Sequence, residues 1–201
     1  MADLTSADVG RAASRLAEGA EAAADSLNSA DALLGDGDLG VTVCRGWRAA
    51  AAQELPEDLG LAFLVLAKAF QATASSSFGT LTATGLLSAA AVCKGKKEIP
   101  WKEVPGLLAM ARDAMMKRGK GELCQKSVLD MIDAIAAATA GIEAPAELFA
   151  AALQACERTL ISFRDKPNGL GRARMFGEKS IGMDDPGMLA VQVMVLALAA
   201  R

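Results

Sequence analysis

Asp31-Ala-Leu-Leu-Gly-Asp-Gly-Asp-Leu-Gly40 joins two stretches of helical period, and that alternation organises the whole chain. Upstream, Ser6 or Asp8 can cap a helix that carries Val9, Ala12, Leu16 and Ala20 on one stripe, with Asp31 on its last turn. Downstream, a second helix runs from Val41 to about Glu54 and stops before Pro56. The stretch is therefore a glycine-rich acidic connection between helices.

The same pattern continues. Leu59 to Ala74 is apolar on most sides, as a buried third helix would be. Ser75-Ser76-Ser77-Phe78-Gly79-Thr80 breaks it. Further helices cover about Thr82–Cys93, Trp101–Lys117, Lys126–Ala138 and Pro145–Phe163, with Pro145 in the first helical position. The loop Asp165–Asp184 holds most of the later glycines. Asp185 caps the last helix, Pro186 opens it, and its apolar run to Ala200 is too short for a membrane span. This gives about eight antiparallel amphipathic helices, no convincing strand, and one all-α domain over residues 1–201. In an up-and-down arrangement alternate connections share an end. One rim would then gather Leu34–Gly40, Ser75–Thr80, Arg118–Gly121 and the end of the 165–184 loop.

Composition agrees and narrows the chemistry. Of 201 residues 52% are apolar but only 4% aromatic, a mixture that favours helices over strands. A net charge of −3 argues against nucleic acid as a partner. Lys94-Gly95-Lys96-Lys97 reads as a solvated loop, or else a docking point for an acidic partner. Cys44, Cys93, Cys124 and Cys156 show no redox or zinc spacing. Met1-Ala-Asp-Leu-Thr-Ser has no export signal, so a cytoplasmic protein with reduced thiols is expected. Histidine is absent, which excludes phosphohistidine relays and histidine-held metals.

Any metal must then rest on carboxylates. Asp36 and Asp38 flank Gly37 on a tight turn, five and seven residues after Asp31. Three close carboxylates repel one another unless a cation neutralises them, and magnesium prefers such oxygens together with phosphate. The loop also feeds a helix N-terminus, which favours phosphate. Alternatively the loop is a solvated turn in which Asp38 only caps the second helix. Neither an EF-hand nor a Walker A loop is present.

Four segments together resemble the dihydroxyacetone kinase L subunit, the DhaL family. These are Asp31–Gly40 with Arg45-Gly46; Arg118-Gly119-Lys120-Gly121-Glu122 with Lys126-Ser127 and Asp130; Gly171-Arg172-Ala173-Arg174 with Gly177–Gly182; and Asp185-Pro186-Gly187. The resemblance implies a closed ring of eight antiparallel helices with ADP or ATP at one end. It implies that Asp31, Asp36 and Asp38 hold two magnesium ions against the phosphates. Leu39, Gly40, Val41 and Thr42 would receive the phosphates, and Gly79 and Thr80 would cover them. Gly119 and Val128 would lie beside the adenosine, and Arg172 with Asp185, Pro186 and Gly187 would complete the pocket, Arg172 as a positive clamp. Arg174, Lys120 and Lys126 are lesser candidates for that clamp.

This sequence departs from the family in three places. Leu39 stands where histidine is common. Ser77-Phe78-Gly79-Thr80-Leu81 replaces a Gly-Gly-Ala/Ser-Ser-Gly loop, and Cys124-Gln125-Lys126-Ser127 replaces Gly-Asp-Lys-Thr. By resemblance the acceptor, dihydroxyacetone or a similar ketose, sits on a separate K subunit. The donor is ATP, or ADP rephosphorylated by an M-type phosphotransferase-system subunit. The sequence leaves a homodimer open and points to no membrane. Competing expectations are a kinase subunit for another small acceptor, a nucleotide-binding regulatory module without turnover, and a purely structural helical protein.

Overall fold

The computed structural model describes residues 3–200. Met1 and Ala2, which open the segment read above for an export signal, and Arg201 lie outside the described residues. The first helix is two helices, α1 (Ser6–Ala22) and α2 (Ala24–Leu34). Ala23, at φ −100° and ψ 1°, bends the run. Its amide still reaches Gly19 O at 3.1 Å, so the chain turns without a loop. No glycine or proline marks the bend, which hides it from the sequence. The cap of α1 is Thr5 rather than Ser6 or Asp8: Thr5 and Asp8 form a reciprocal capping box.

There follow α3 (Leu39–Ala51), α4 (Leu59–Thr73), α5 (Ser77–Cys93), α6 (Val104–Gly119), α7 (Val128–Thr139), α8 (Pro145–Arg164) and α9 (Pro186–Ala199). The fourth expected helix thus begins five residues early, because Ser76 Oγ accepts the Gly79 amide and starts it there. Trp101–Glu103 and Ala173–Ser180 form 3-10 turns. A ladder missed by the sequence pairs β1 (Leu4–Thr5) antiparallel with β2 (Glu98–Ile99). Strands of two residues carry too little alternation to be read.

α1 packs on α3, each helix from α3 to α9 packs on its successor, and α9 returns to α1. Among the described residues the ring therefore has eight members, as expected, and α2 is a ninth α-helix, laid against α3 and α9 at one end. Close approach is built in at Gly46 of α3, where a Cβ would sit 2.4 Å from the Phe70 ring of α4. Trp47 meets Phe70 edge-on at 5.1 Å and donates its indole N–H to Met194 Sδ. Two packed clusters, one mainly under α1, α3 and α4 and one under α7, α8 and α9, share Phe78, Leu189 and Met194. The ring encloses an apolar cavity of about 370 Å³, lined by Trp47, Phe63, Trp101 and Phe149 among others.

Among the described residues no helix is long and apolar enough to cross a membrane. All four cysteines are free, and Lys97 of the basic run pairs with Glu57 on the surface. The connections α2–α3, α4–α5, α6–α7 and α8–α9 alternate along the ring and share one end, while the β ladder lies at the other.

Candidate nucleotide and metal site

At the loop-bearing end lies a pocket of about 140 Å³. One wall is acidic. Asp31 projects from α2, and Asp36 and Asp38 from the turn that follows. Gly37 at φ +75° makes that turn, a conformation glycine adopts without strain. Gly40 lets α3 start hard against α2: a Cβ there would lie 2.0 Å from Ala24 O. One carboxylate oxygen from each of Asp31, Asp36 and Asp38 lies within 4.8 Å of the other two.

The helix-cap alternative for Asp38 fails on geometry. Asp38 occupies the cap position of α3, yet its carboxylate accepts no capping bond. Asn28 of α2 caps instead, its Oδ1 accepting the Val41 amide at 3.2 Å, and Asp31 Oδ2 accepts the Asp38 amide at 3.0 Å. The Asp38 carboxyl titrates above its usual range, through partial burial first and then the negative charges of Asp36 and Asp31. Among the described residues the cation that answers this charge is the Arg172 guanidinium, which bonds Asp36 from the opposite wall. Three hard oxygen donors in surplus negative charge fit a divalent cation such as magnesium.

The other wall comes from the N-termini of α5, α7 and α9 and from residues 170–173. Val128, Arg172, Asp185, Pro186 and Gly187 line it, and Leu39 lies at the acidic edge. Gly79 and Thr80 do not cover the pocket. They belong to the first turn of α5, their amides taken by Ser76 Oγ and Ser76 O, and it is Ser76, Ser77, Phe78 and Leu81 that face inward. Gly119 ends α6 outside the pocket lining, 3.5 Å behind Leu81 when given a Cβ. Of the first residues of α3 only Leu39 lines the pocket; Gly40, Val41 and Thr42 do not, the Val41 amide donating to Asn28 Oδ1 and the Thr42 amide to Asp38 O.

Leu170 also lines the pocket, and so does Ser127 of the second resembling segment. The Ser127-Val-Leu-Asp130 capping box was visible as a motif, and both reciprocal bonds form. Leu170 and Asn28 gave no signal. Lys126 is no phosphate clamp: it is fully buried, with its ammonium spent on backbone carbonyls. Lys120 and Arg174 are exposed and do not line the pocket. Asp185 is buried, and burial lifts its carboxyl to about 6 although Met188 N and Asn168 Nδ2 donate to it.

Known proteins are similar to this chain in sequence and in fold. The model of the DAK2 domain matches residues 33–200. The ADP-binding subunit DhaL of the PEP-dependent dihydroxyacetone kinase of Escherichia coli K12 is 26% identical over 87% of this chain and 88% of its own length. L-erythrulose 1-kinase of Mycolicibacterium smegmatis is 30% identical over 86% of this chain, which spans 31% of that longer protein. The fold is similar to that of the dihydroxyacetone kinase of C. freundii, solved with AMP-PNP and Mg2+: TM-score 0.74 at 20% identity, over 99% of this chain and 34% of that one. With most of its length matched by one family model, the chain belongs to the DAK2 domain family, among relatives of the dihydroxyacetone kinase L subunits.

Proposed function

We propose that residues 1–201 form one domain that serves as the nucleotide-binding subunit of a dihydroxyacetone-kinase-like phosphotransferase. The observation that carries this is the acidic triad opposite Arg172 at the mouth of a pocket headed by three helix N-termini. The names of its relatives supply the reaction class: an ADP-binding subunit and ketose kinases.

Asp31, Asp36 and Asp38 would hold magnesium, two ions by family resemblance, which supplies charge neutralisation for phosphoryl transfer. Around it the chain's own groups act on ADP or ATP. The Leu39 amide donates to phosphate. Arg172, which bonds Asp36 across the pocket, would offer its fork to phosphate oxygens. Val128, Phe78 and Leu81 offer apolar contact on the adenosine side. Gly119 stands behind this wall, and the Asp185-Pro186-Gly187 turn fixes its edge. Without histidine the chain does not hold a ketose covalently, so the acceptor belongs on a K-type partner docked at this rim. An M-type subunit as donor, and a cytoplasmic setting suited to free thiols, complete the proposal.

The test is thermal. Mg–ADP or Mg–ATP at saturation should raise Tm, and the Asp36→Asn, Asp38→Asn double variant should show no rise. A wild-type Tm indifferent to both nucleotides with magnesium would defeat the reading. The erythrulose kinases among the relatives favour one second reading, in which the acceptor is a larger ketose. Turnover with purified K-type partner over a panel of small ketoses separates the two.

A further inference from the structure

The structure assigns Lys126 as a positioning residue of the nucleotide pocket: its ammonium tacks the Arg172-bearing loop to the start of α7. This rests on the nucleotide-binding reading above and concerns a side chain that reading leaves unused.

Lys126 is fully buried, and its Nζ donates to Arg164 O at 3.1 Å, Lys166 O at 2.8 Å and Ser180 O at 2.9 Å. An ammonium has three protons, and each has one acceptor. All three acceptors are backbone carbonyls, 38 to 54 residues away in sequence, on the segment that runs from Arg164, the last residue of α8, to Ser180. Two lie at its start and one near its end, so the single cation gathers both ends of the segment. That segment carries Leu170, Gly171, Arg172 and Ala173 into the pocket. Burial without a hydrogen-bonded carboxylate lowers the affinity of this amine for its proton, with Asp185, Asp184 and Asp165 opposing from a distance. A lysine placed so expensively has a local task.

The surrounding bonds tell which wall it serves. Asn168 Nδ2 donates to Lys126 O at 2.8 Å and to Asp185 Oδ2 at 2.7 Å, and Asn168 N donates to Ser180 Oγ at 2.8 Å. Gly169 N reaches Gln125 O at 2.8 Å. Lys126 itself stands at φ +55°, a left-handed backbone that the native contacts must hold. Its chain neighbours Ser127 and Val128 line the pocket. One residue thus couples the α7 wall, the Arg172 loop and the Asp185 turn, while none of these bonds touches Asp31, Asp36 or Asp38. Loss of the ammonium should then weaken nucleotide and spare metal.

The experiment compares wild type with Lys126→Met, which keeps the length of the stem and removes every donor. Three quantities are read: Mg2+ affinity in the absence of nucleotide, Mg–ADP affinity by titration, and amide hydrogen exchange over residues 165–184. The expected result is Mg–ADP weaker by about tenfold, Mg2+ affinity within about twofold, and faster exchange confined to that segment. Unchanged Mg–ADP affinity beside faster exchange overturns the assignment, since the tack would then serve the fold alone. A parallel loss of Mg2+ affinity also overturns it. If wild type binds no nucleotide, the function proposed above fails, and exchange alone decides the tack: unchanged rates in the variant refute it. Should Lys126→Met not fold, Ser180→Ala, which removes the acceptor of the Asn168 amide, is read in the same way with about a threefold loss expected.

Discussion

The two walls of the pocket hold carboxylates of opposite fate. Asp185 is buried, caps α9 and accepts from Asn168, so both its oxygens are engaged by the protein. Asp36 and Asp38 are exposed, neither caps α3, and three carboxylates with Asp31 face one guanidinium. The first wall spends its polar groups on holding shape. The second leaves charge for something outside the chain. A carboxylate's neighbours, more than its place in a motif, decide which task it has.

The largest expected effect breaks the first wall. Asp185→Ala leaves the Met188 amide without its cap and Asn168 with one acceptor fewer, which should cost about 2 kcal/mol at neutral pH by denaturant titration. The cost should depend on pH. Folded Asp185 titrates near 6 against 3.8 when free, so the fold prefers it protonated. Its contribution is full below about pH 4 and is lost as pH rises through 6, a span of at most about 3 kcal/mol. The destabilisation by Asp185→Ala should therefore grow on acidification from pH 7 to pH 4. A flat difference between variant and wild type over that range contradicts a buried Asp185 carboxyl that prefers its proton.

The two walls were unequally legible in the sequence. The acidic turn could be read because its residue types carry the chemistry: glycine where φ is positive, aspartates clustered, a helix following. The capping Asp185-Pro186 pair was as plain, since caps are local. What escaped was non-local. The bend at Ala23 lies in an alanine run where every residue suits a helix equally, and only the packing of α2 across α3 selects the break. Asn28 caps α3 through a contact thirteen residues away, so a cap role for Asp38, the alternative that the sequence allows, fails for a reason that the sequence does not show. Serine and glycine punctuate Ser75–Thr80 as they would a loop, yet Ser76 turns Ser77–Thr80 into a helix start. Lys126 looked like a phosphate clamp because lysine often is one, and its burial depends on carbonyls the sequence does not bring near.

A middle-sized effect sharpens the contrast from the acidic side. Gly40→Ala puts a methyl into the Ala24 carbonyl, so α2 must move off α3. The cost should be about 1–3 kcal/mol in denaturant, the usual range for overpacking between backbones. Because α2 carries Asp31, the Mg–nucleotide increase in Tm should shrink as well. A variant of full stability with an unchanged ligand response would mean that the α2–α3 contact does not set the triad.

The smallest effect is the most discriminating. Asp38→Asn removes one charge from a cluster in which burial and two like charges already oppose ionisation. No hydrogen bond to the helix is lost, since that carboxylate caps nothing. In magnesium-free buffer the change in stability should stay within about 0.5 kcal/mol, with a gain favoured because repulsion falls. Add Mg–ADP at a hundredfold excess over Kd and wild type should gain about 2.7 kcal/mol, while the variant gains far less. The same substitution is then neutral to the fold and severe for the ligand, the reverse of Asp185→Ala, whose cost is paid without any ligand present. If Asp38→Asn instead destabilises the free protein by more than about 1 kcal/mol, Asp38 belongs with Asp185 as a structural group, and the division between the walls collapses.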